Sequence, residues 1–115
     1  MSRKPSKKNA PYEQAVADSE AQLYVLRLCV SGMTPRSRTA IVNVKEICER
    51  YLHGRYQLEV LDLYQQPELA AKHQVLATPT LLKSLPPPLR RLIGDLSDTR
   101  SALQRLGVVV KEEEA

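Results

Sequence analysis

Residues 76–96 constrain the fold of this 115-residue chain more than any other stretch, because four prolines and a glycine interrupt an apolar background. Pro79 precedes an apolar run, and proline is tolerated at the first position of a strand because no ladder N–H is needed there. Pro86-Pro87-Pro88 cannot continue a strand, since proline has no N–H to donate. Gly94-Asp95 is a typical turn pair. The pattern predicts two short strands, over residues 81–85 and 91–96, joined through a proline-rich corner.

The first half of the chain predicts a strand, a helix and a second strand. Residues 23–30 are almost continuously apolar, as in a central strand that is buried on both faces. Thr34-Pro35 starts a helix with an N-cap and a proline at the first helical position. His53-Gly54 ends that helix, and residues 56–63 begin as an alternating strand. Together they form one right-handed parallel βαβ unit.

The second half predicts a short helix over residues 68–73, the two strands, and a last helix. Ser97 is the predicted N-cap of that helix, which continues to Gly107. The resulting order, βαβαββα, and the Thr78-Pro79 step before a strand resemble the cis-proline corner of thioredoxin-like α/β domains. We therefore expect a thioredoxin-like α/β fold.

The thiol chemistry of redox thioredoxins has no counterpart here. Their Cys-x-x-Cys pair lies between the first strand and the first helix, where the helix N-terminus lowers the thiol pKa. The corresponding residues 31–37 contain no cysteine. Cys29 and Cys48 fall on apolar patterns, so we predict buried structural thiols, since free cysteine packs as a small hydrophobe. Disulfide exchange is excluded.

Charge divides the chain into three segments. Residues 1–21 form a basic N-terminal segment, residues 22–107 form the folded domain, and residues 108–115 form an acidic C-terminal segment. We expect both ends to be disordered tails. Basic residues of the domain outnumber acidic ones, which favours an acidic partner. Nucleic acid is disfavoured because stacking aromatics and a recognition helix are missing. No stretch is long and apolar enough for a membrane span, and we expect a cytoplasmic protein.

No residue pattern indicates catalysis, a metal site or a cofactor. The four glycines are too scattered to form a phosphate-binding loop. His53 and His73 have no cysteine, aspartate or glutamate at ligand spacing. Asp62 is expected to end a strand, and Asp95 to stabilise a turn. We therefore predict a protein that is not an enzyme and that binds neither metal nor cofactor.

Several motifs together resemble the circadian clock protein KaiB family. They are Leu26-x-Leu28-x-Val30-x-Gly32-x-Thr34-Pro35-x-Ser37, Gln66-Pro67-Glu68-Leu69-Ala70, and the whole of residues 76–97. The resemblance covers residues 24–106. It implies a regulatory protein that binds a KaiC-type RecA-like ATPase ring. It also implies contacts with a KaiA-like activator or a sensor histidine kinase, and a homodimeric or homotetrameric ground state.

The resemblance further implies fold switching. In the family, a βαββααβ ground state exchanges with a monomeric thioredoxin-like state that binds partners, and two packings a few kcal/mol apart suffice for such a switch. The refolding half would contain Pro79, Pro86, Pro87, Pro88, Gly94 and Asp95. Family behaviour implies that Gly94→Ala disfavours the ground state. A single static fold with a proline-rich hairpin is the alternative.

The family resemblance also suggests partner-binding residues. Arg91 matches a basic position implicated in partner contact, and Arg90 and Lys83 would extend that face; a solvated basic patch is the alternative. Arg38 lies one place before the position where the family commonly has an arginine, about 100° around the helix. Lys72-His73 stands where clock members tend to be acidic. A stress-response paralogue therefore remains open, as does a thioredoxin-like sensor module of a two-component system without redox activity.

Overall fold

The computed structural model describes residues 22–109, which form a four-stranded sheet and three helices. The order of the elements is the predicted βαβαββα. In chain order they are β1 Tyr24–Val30, α1 Pro35–Tyr51, β2 Tyr56–Asp62, α2 Glu68–Lys72, β3 Thr80–Leu85, β4 Arg90–Ile93 and α3 Thr99–Leu106.

The sheet has the strand order β2-β1-β3-β4. β1 pairs in parallel with β2 over its whole length, from Tyr24 opposite Tyr56 to Val30 opposite Asp62. β1 and β4 both pair antiparallel with β3. β2 and β4 are therefore the edge strands, and the apolar β1 lies at the centre, as its sequence predicts.

Two apolar layers cover the sheet. On one face, α1 and α3 pack against alternate β1 residues, and the main core contains Leu26, Leu28, Val44, Leu81 and Leu106. On the other face, α2 and the residues after it pack against a smaller cluster of Cys29, Leu61, Leu63 and Leu82. This arrangement of helices on both sides of a mixed sheet confirms the predicted thioredoxin-like α/β fold.

The start of the last helix differs from the sequence prediction. Asp98, not Ser97, is the N-cap, and its carboxylate accepts the Ser101 N–H at 3.1 Å. The Ser97 N–H instead donates to Asp95 Oδ1 at 3.1 Å, which gives Asp95 its predicted role in a turn. Aspartate is as good an N-cap as serine, so residue type alone does not favour Ser97 over Asp98.

The proline-rich corner is confirmed as the connection between β3 and β4. Three X-Pro peptide bonds are cis, Thr78–Pro79, Leu85–Pro86 and Pro87–Pro88. β4 is shorter than predicted, because Gly94 has a φ of 115° and Leu96 a φ of 58°, both outside the extended region.

The predicted domain boundaries can be compared with the structure over residues 22–109. The predicted N-terminal tail, residues 1–21, lies outside the described residues, as do residues 110–115. Val108, which was assigned to the C-terminal tail, packs into the core. In the described part of the chain, no helix combines the length and the apolar character that crossing a bilayer requires.

Candidate partner-binding surface

Arg90 and Arg91 are both exposed on the edge strand β4. They point to opposite faces of the sheet, because neighbouring residues of a strand alternate. Arg91 donates from Nη2 to Gln74 Oε1 at 3.1 Å, which connects β4 to the loop after α2. Arg105 of α3 donates from Nη2 to the Arg91 carbonyl at 3.4 Å, from the other face. Three guanidinium groups therefore lie along this edge.

Lys83 does not extend that exposed face, contrary to the expectation from sequence. It lies opposite Arg90 in the β3–β4 ladder, but the residue is only 3% exposed. Its Nζ donates to the Leu106 carbonyl at 3.3 Å, at the end of α3. Burial, and then the charge of Arg90, lower the pKa of Lys83. In this conformation Lys83 connects the sheet to α3 and is withheld from a partner's surface.

Arg36 and Arg105 were missed by the sequence reasoning. Both line a cavity of about 210 Å³, together with Gly94 and Asp95 at the end of β4. Arg38, the predicted residue of α1, is exposed but does not line this cavity. Since Arg36 lies in the first turn of α1, its position beside β4 follows from the packing of α1 on the sheet, which the sequence pattern alone does not reveal.

Three of the predicted switch residues, Pro79, Gly94 and Asp95, lie together where β3 begins and β4 ends, whereas Pro86, Pro87 and Pro88 lie in the connection at the opposite end of these strands. The Gly94 N–H donates to the carbonyl of the buried Pro79 at 2.9 Å. The φ of 115° at Gly94 is one that L side chains rarely adopt, although a Cβ there would meet no atom within 4 Å. The Asp95 carbonyl accepts Asn43 Nδ2 at 2.8 Å, which connects this corner to α1. Their participation in a fold switch stays a prediction.

The loop that carries thiols in redox thioredoxins is held here by polar contacts. The Gly32 N–H donates to Asp62 Oδ1 at 2.9 Å, and Thr34 Oγ1 accepts the Ser37 N–H as the N-cap of α1. Cys29 and Cys48 are free and buried, as predicted. Burial raises the pKa of both thiols, that of Cys48 to about 12. Neither thiol is activated for disulfide chemistry.

Among residues 22–109, no group of histidine, cysteine, aspartate or glutamate is placed to hold a metal ion. The two histidines lie apart: His53 Nδ1 donates to Glu49 Oε1 at 3.1 Å just after α1, and His73 follows α2. Asp62 holds backbone N–H groups of Gly32 and Tyr64 at 2.9 Å each. The polar chemistry of the domain therefore concentrates on exposed arginines.

Comparison with known sequences identifies the family to which this chain is similar. The KaiB domain family matches residues 27–108. The circadian clock oscillator protein KaiB of Prochlorococcus marinus subsp. pastoris is 49% identical over 89 residues, which cover 77% of this chain and 83% of the relative. The circadian clock protein KaiB3 of a Synechocystis strain is 45% identical over 85 residues, which cover 74% of this chain and 83% of the relative.

Solved structures support the fold. The N-terminal domain of Synechococcus elongatus SasA superposes with a TM-score of 0.61 at 24% identity, over 90% of this chain and 89% of that domain. Oxidised mitochondrial thioredoxin 3 of Saccharomyces cerevisiae superposes with a TM-score of 0.58 at 13% identity, over 81% and 86% of the two chains. By its sequence this chain belongs to the KaiB family, and the structure shows it in a thioredoxin-like fold.

Proposed function

We propose that this chain is a non-enzymatic regulator that binds a KaiC-type RecA-like ATPase ring and modulates the ring's phosphorylation or signalling output. Relatives at 45–49% identity are circadian clock proteins, which supports a regulatory role in a clock. A related stress-response role is the variant of this proposal that the sequence leaves open. The burial of both thiols disfavours redox turnover. The chain acts as a cytoplasmic protein whose ground state is a homodimer or homotetramer.

The exposed pair Arg90 and Arg91 on the edge strand carries this proposal. Neither guanidinium is paired with a carboxylate among the ion pairs of residues 22–109. Charges of this kind, at the rim of an interface, steer association more than they add to its final affinity. An acidic surface of the ring is therefore the matching partner.

A pull-down and a binding titration with a KaiC-type ring and ATP test the proposal. We expect a complex that weakens with salt, because the screening length falls from about 10 Å at 0.1 M to about 3 Å at 1 M ionic strength. The double variant Arg90→Glu, Arg91→Glu should reduce the association rate by at least about tenfold, since electrostatic steering changes on-rates by one to three orders of magnitude.

The matched control reverses two exposed charges elsewhere, with Lys45→Glu and Arg50→Glu on α1. This control has the same net charge as the test variant, so it separates a local contact from a general charge effect. Equal weakening by both variants would refute a specific role for Arg90 and Arg91. Absence of association in every nucleotide state of the ring would refute the proposed function.

The second candidate function is that of a thioredoxin-like sensor module of a two-component system. The fold that this chain shares with the SasA N-terminal domain is compatible with it. A regulator of the ring should compete with such a domain, and a KaiA-like activator should join the complex. A sensor module should instead associate with a histidine kinase partner in the absence of the ring. Competition measured with a labelled sensor domain distinguishes the two.

A further inference from the structure

The outer edge of β4 presents backbone groups that no strand among residues 22–109 pairs, and these groups follow a defined pattern. Antiparallel neighbours alternate between pairs that exchange hydrogen bonds and pairs that do not. The Gly94 N–H donates to the Pro79 carbonyl at 2.9 Å, directly beyond the Thr80–Ile93 pair. The Thr80–Ile93 and Leu82–Arg91 pairs are therefore the non-bonded ones, and the N–H and C=O groups of Arg91 and Ile93 point away from the sheet.

The contact from Arg105 agrees with that assignment. Its guanidinium donates to the Arg91 carbonyl at 3.4 Å, as expected for a carbonyl that faces away from β3. An incoming strand that takes this carbonyl would release the Arg105 guanidinium. That group would then lie beside the new strand, free to pair with a carboxylate.

Side chains along the same edge combine positive charge with exposed apolar surface. Ile93 is 62% exposed and Leu89, just before the strand, is 56% exposed. Ile93 lies on the face of Arg91, because alternate residues of a strand share one face. Arg90 occupies the opposite face. A rigid surface that lies flat on either face reaches only one of the two arginines, whereas a segment that runs along the edge reaches both.

We infer that β4 is a docking edge for an extended acidic segment of the partner, which adds to the sheet as a fifth strand. Main-chain bonds give such a strand its affinity, and its alternate side chains give specificity. The matching segment carries carboxylates opposite Arg90, Arg91 and Arg105, and an apolar residue beside Ile93. This inference rests on the proposed function, because it describes how the ring partner engages the same two arginines.

The other edge of the sheet is less suited to that segment. β2 exposes Glu59, which pairs with Arg27 at 3.3 Å, and it ends at Asp62. Its charges repel carboxylates, and like charges directly opposite each other destabilise strand pairs. Charge complementarity therefore selects β4.

Substitution of Ile93 by proline tests the backbone bond. Because the Ile93 N–H points outward, Ile93→Pro removes an edge donor without removing a bond to β3, and proline is tolerated on edge strands for this reason. The matched control Ile93→Val keeps the N–H and most of the apolar surface. We expect Ile93→Pro to weaken ring binding about tenfold, equivalent to about 1.4 kcal/mol. The ring affinity of Ile93→Val should stay within about twofold of that of the unmodified protein, because the contacts of one methylene at the edge contribute little.

Amide hydrogen exchange of the unmodified protein provides a second measurement that needs no substitution. The Arg91 and Ile93 amides should exchange fast in the free protein and at least about tenfold more slowly in the ring complex, because a pairing strand protects them. Leu92, whose N–H points to β3, should be protected in both. Unchanged exchange at Arg91 and Ile93 in a formed complex overturns the inference and leaves the proposed function intact; failure of the unmodified protein to bind refutes the function itself.

Two further outcomes assign the edge to a different occupant. If Ile93→Pro dissociates a homodimer in sedimentation and does not change ring affinity, the edge pairs with a second copy, which contradicts a partner segment. If deletion of residues 110–115 exposes the Arg91 and Ile93 amides in the free protein, the chain's own glutamates, Glu112–Glu114, occupy the edge. That result also contradicts the inference.

Discussion

Replacement of Lys83 provides a direct test of the packing between β3 and α3. Its four-carbon stem is buried with the charge, since the residue is only 3% exposed, and its Nζ donates to the Leu106 carbonyl at 3.3 Å. Two substitutions separate the contribution of the stem from that of the ammonium. Lys83→Met keeps an unbranched side chain of similar length, and Lys83→Ala removes both stem and charge.

The expected magnitudes differ for the two variants. Lys83→Ala deletes three buried methylenes, at about 0.8 kcal/mol each, so it should cost about 2.4 kcal/mol before any cavity term. Lys83→Met loses a hydrogen bond from a charged group, about 1.5–3 kcal/mol. It also abolishes the cost of burying a cation, which is of similar size. The free energy of unfolding of Lys83→Met should therefore lie within about 1 kcal/mol of the unmodified protein.

Thermal unfolding followed by circular dichroism measures both variants. For a domain of this size 1 kcal/mol shifts Tm by about 4–8 °C, so Lys83→Ala should melt roughly 10–19 °C lower and Lys83→Met within about 8 °C. Equal Tm values for the two variants would refute the conclusion that buried stem packing dominates. Lys72→Met, at an exposed position of α2, is a control for loss of a basic charge.

The difference in unfolding free energy between the unmodified protein and Lys83→Met should change with pH in a definite direction. Burial lowers the pKa of Lys83, so the folded protein releases that proton at a lower pH than the unfolded chain does. Where the unfolded state binds more protons, stability rises with pH. The unmodified protein should therefore gain stability relative to Lys83→Met as pH approaches about 10.4, the ordinary lysine pKa. A constant difference from pH 7 to that value would contradict burial of the ammonium.

Two further predictions concern the glycine corner and the thiols. Gly94→Ala should destabilise this thioredoxin-like conformation by about 1 kcal/mol or more, because Gly94 has a φ of 115° here. Gly107 is the left-handed C-cap of α3. Gly107→Asn should cost less, because asparagine tolerates the left-handed region. Amide NMR populations and Tm check both, and an unchanged spectrum and Tm for Gly94→Ala would contradict the reasoning. Cys29 and Cys48 should not react with a thiol reagent until the protein unfolds, and rapid labelling of the native protein would contradict their burial.

The structure determines one of the two costs on which the effect of Gly94→Ala depends. The family resemblance implies that this substitution disfavours the ground state. The φ of 115° shows that it also costs free energy in the thioredoxin-like conformation. A sequence marks a glycine but not its φ, so the backbone adds this second cost to the one that the resemblance implies.

Local signals predicted the elements well. Thr34 and Pro35 fixed the start of α1, continuous apolarity placed β1 at the sheet centre, and the prolines separated β3 from β4. Boundaries that depend on tertiary contacts were less predictable. β4 ends at Ile93 because the φ of 115° at Gly94 leaves the extended region, and Asp98 caps α3 while Asp95 holds the Ser97 N–H.

The candidate site was harder to predict than the fold, because charge in a sequence does not show exposure. Lys83 and Arg90 are opposite each other in one ladder, yet one is buried under α3 and the other is exposed. Arg105 reaches the β4 edge from a helix 14 residues away in sequence, and Arg36 reaches the end of β4 from α1. No local periodicity connects those positions, so their convergence emerges only from the packed structure.

The absence of an activated thiol among the described residues changes which part of the thioredoxin-like scaffold is available for function. In redox members the loop before α1 supplies the chemistry, but here its polar groups are engaged by Asp62 and by the Thr34 cap. Among residues 22–109, the edge strand β4 combines exposed guanidinium charge with outward-facing N–H groups at Arg91 and Ile93. The inferred occupant of this edge is an extended acidic segment, so its occupancy should fall with ionic strength and with competition by other strands. The proposed regulation by binding therefore relies on a different part of the scaffold from the one that redox thioredoxins use.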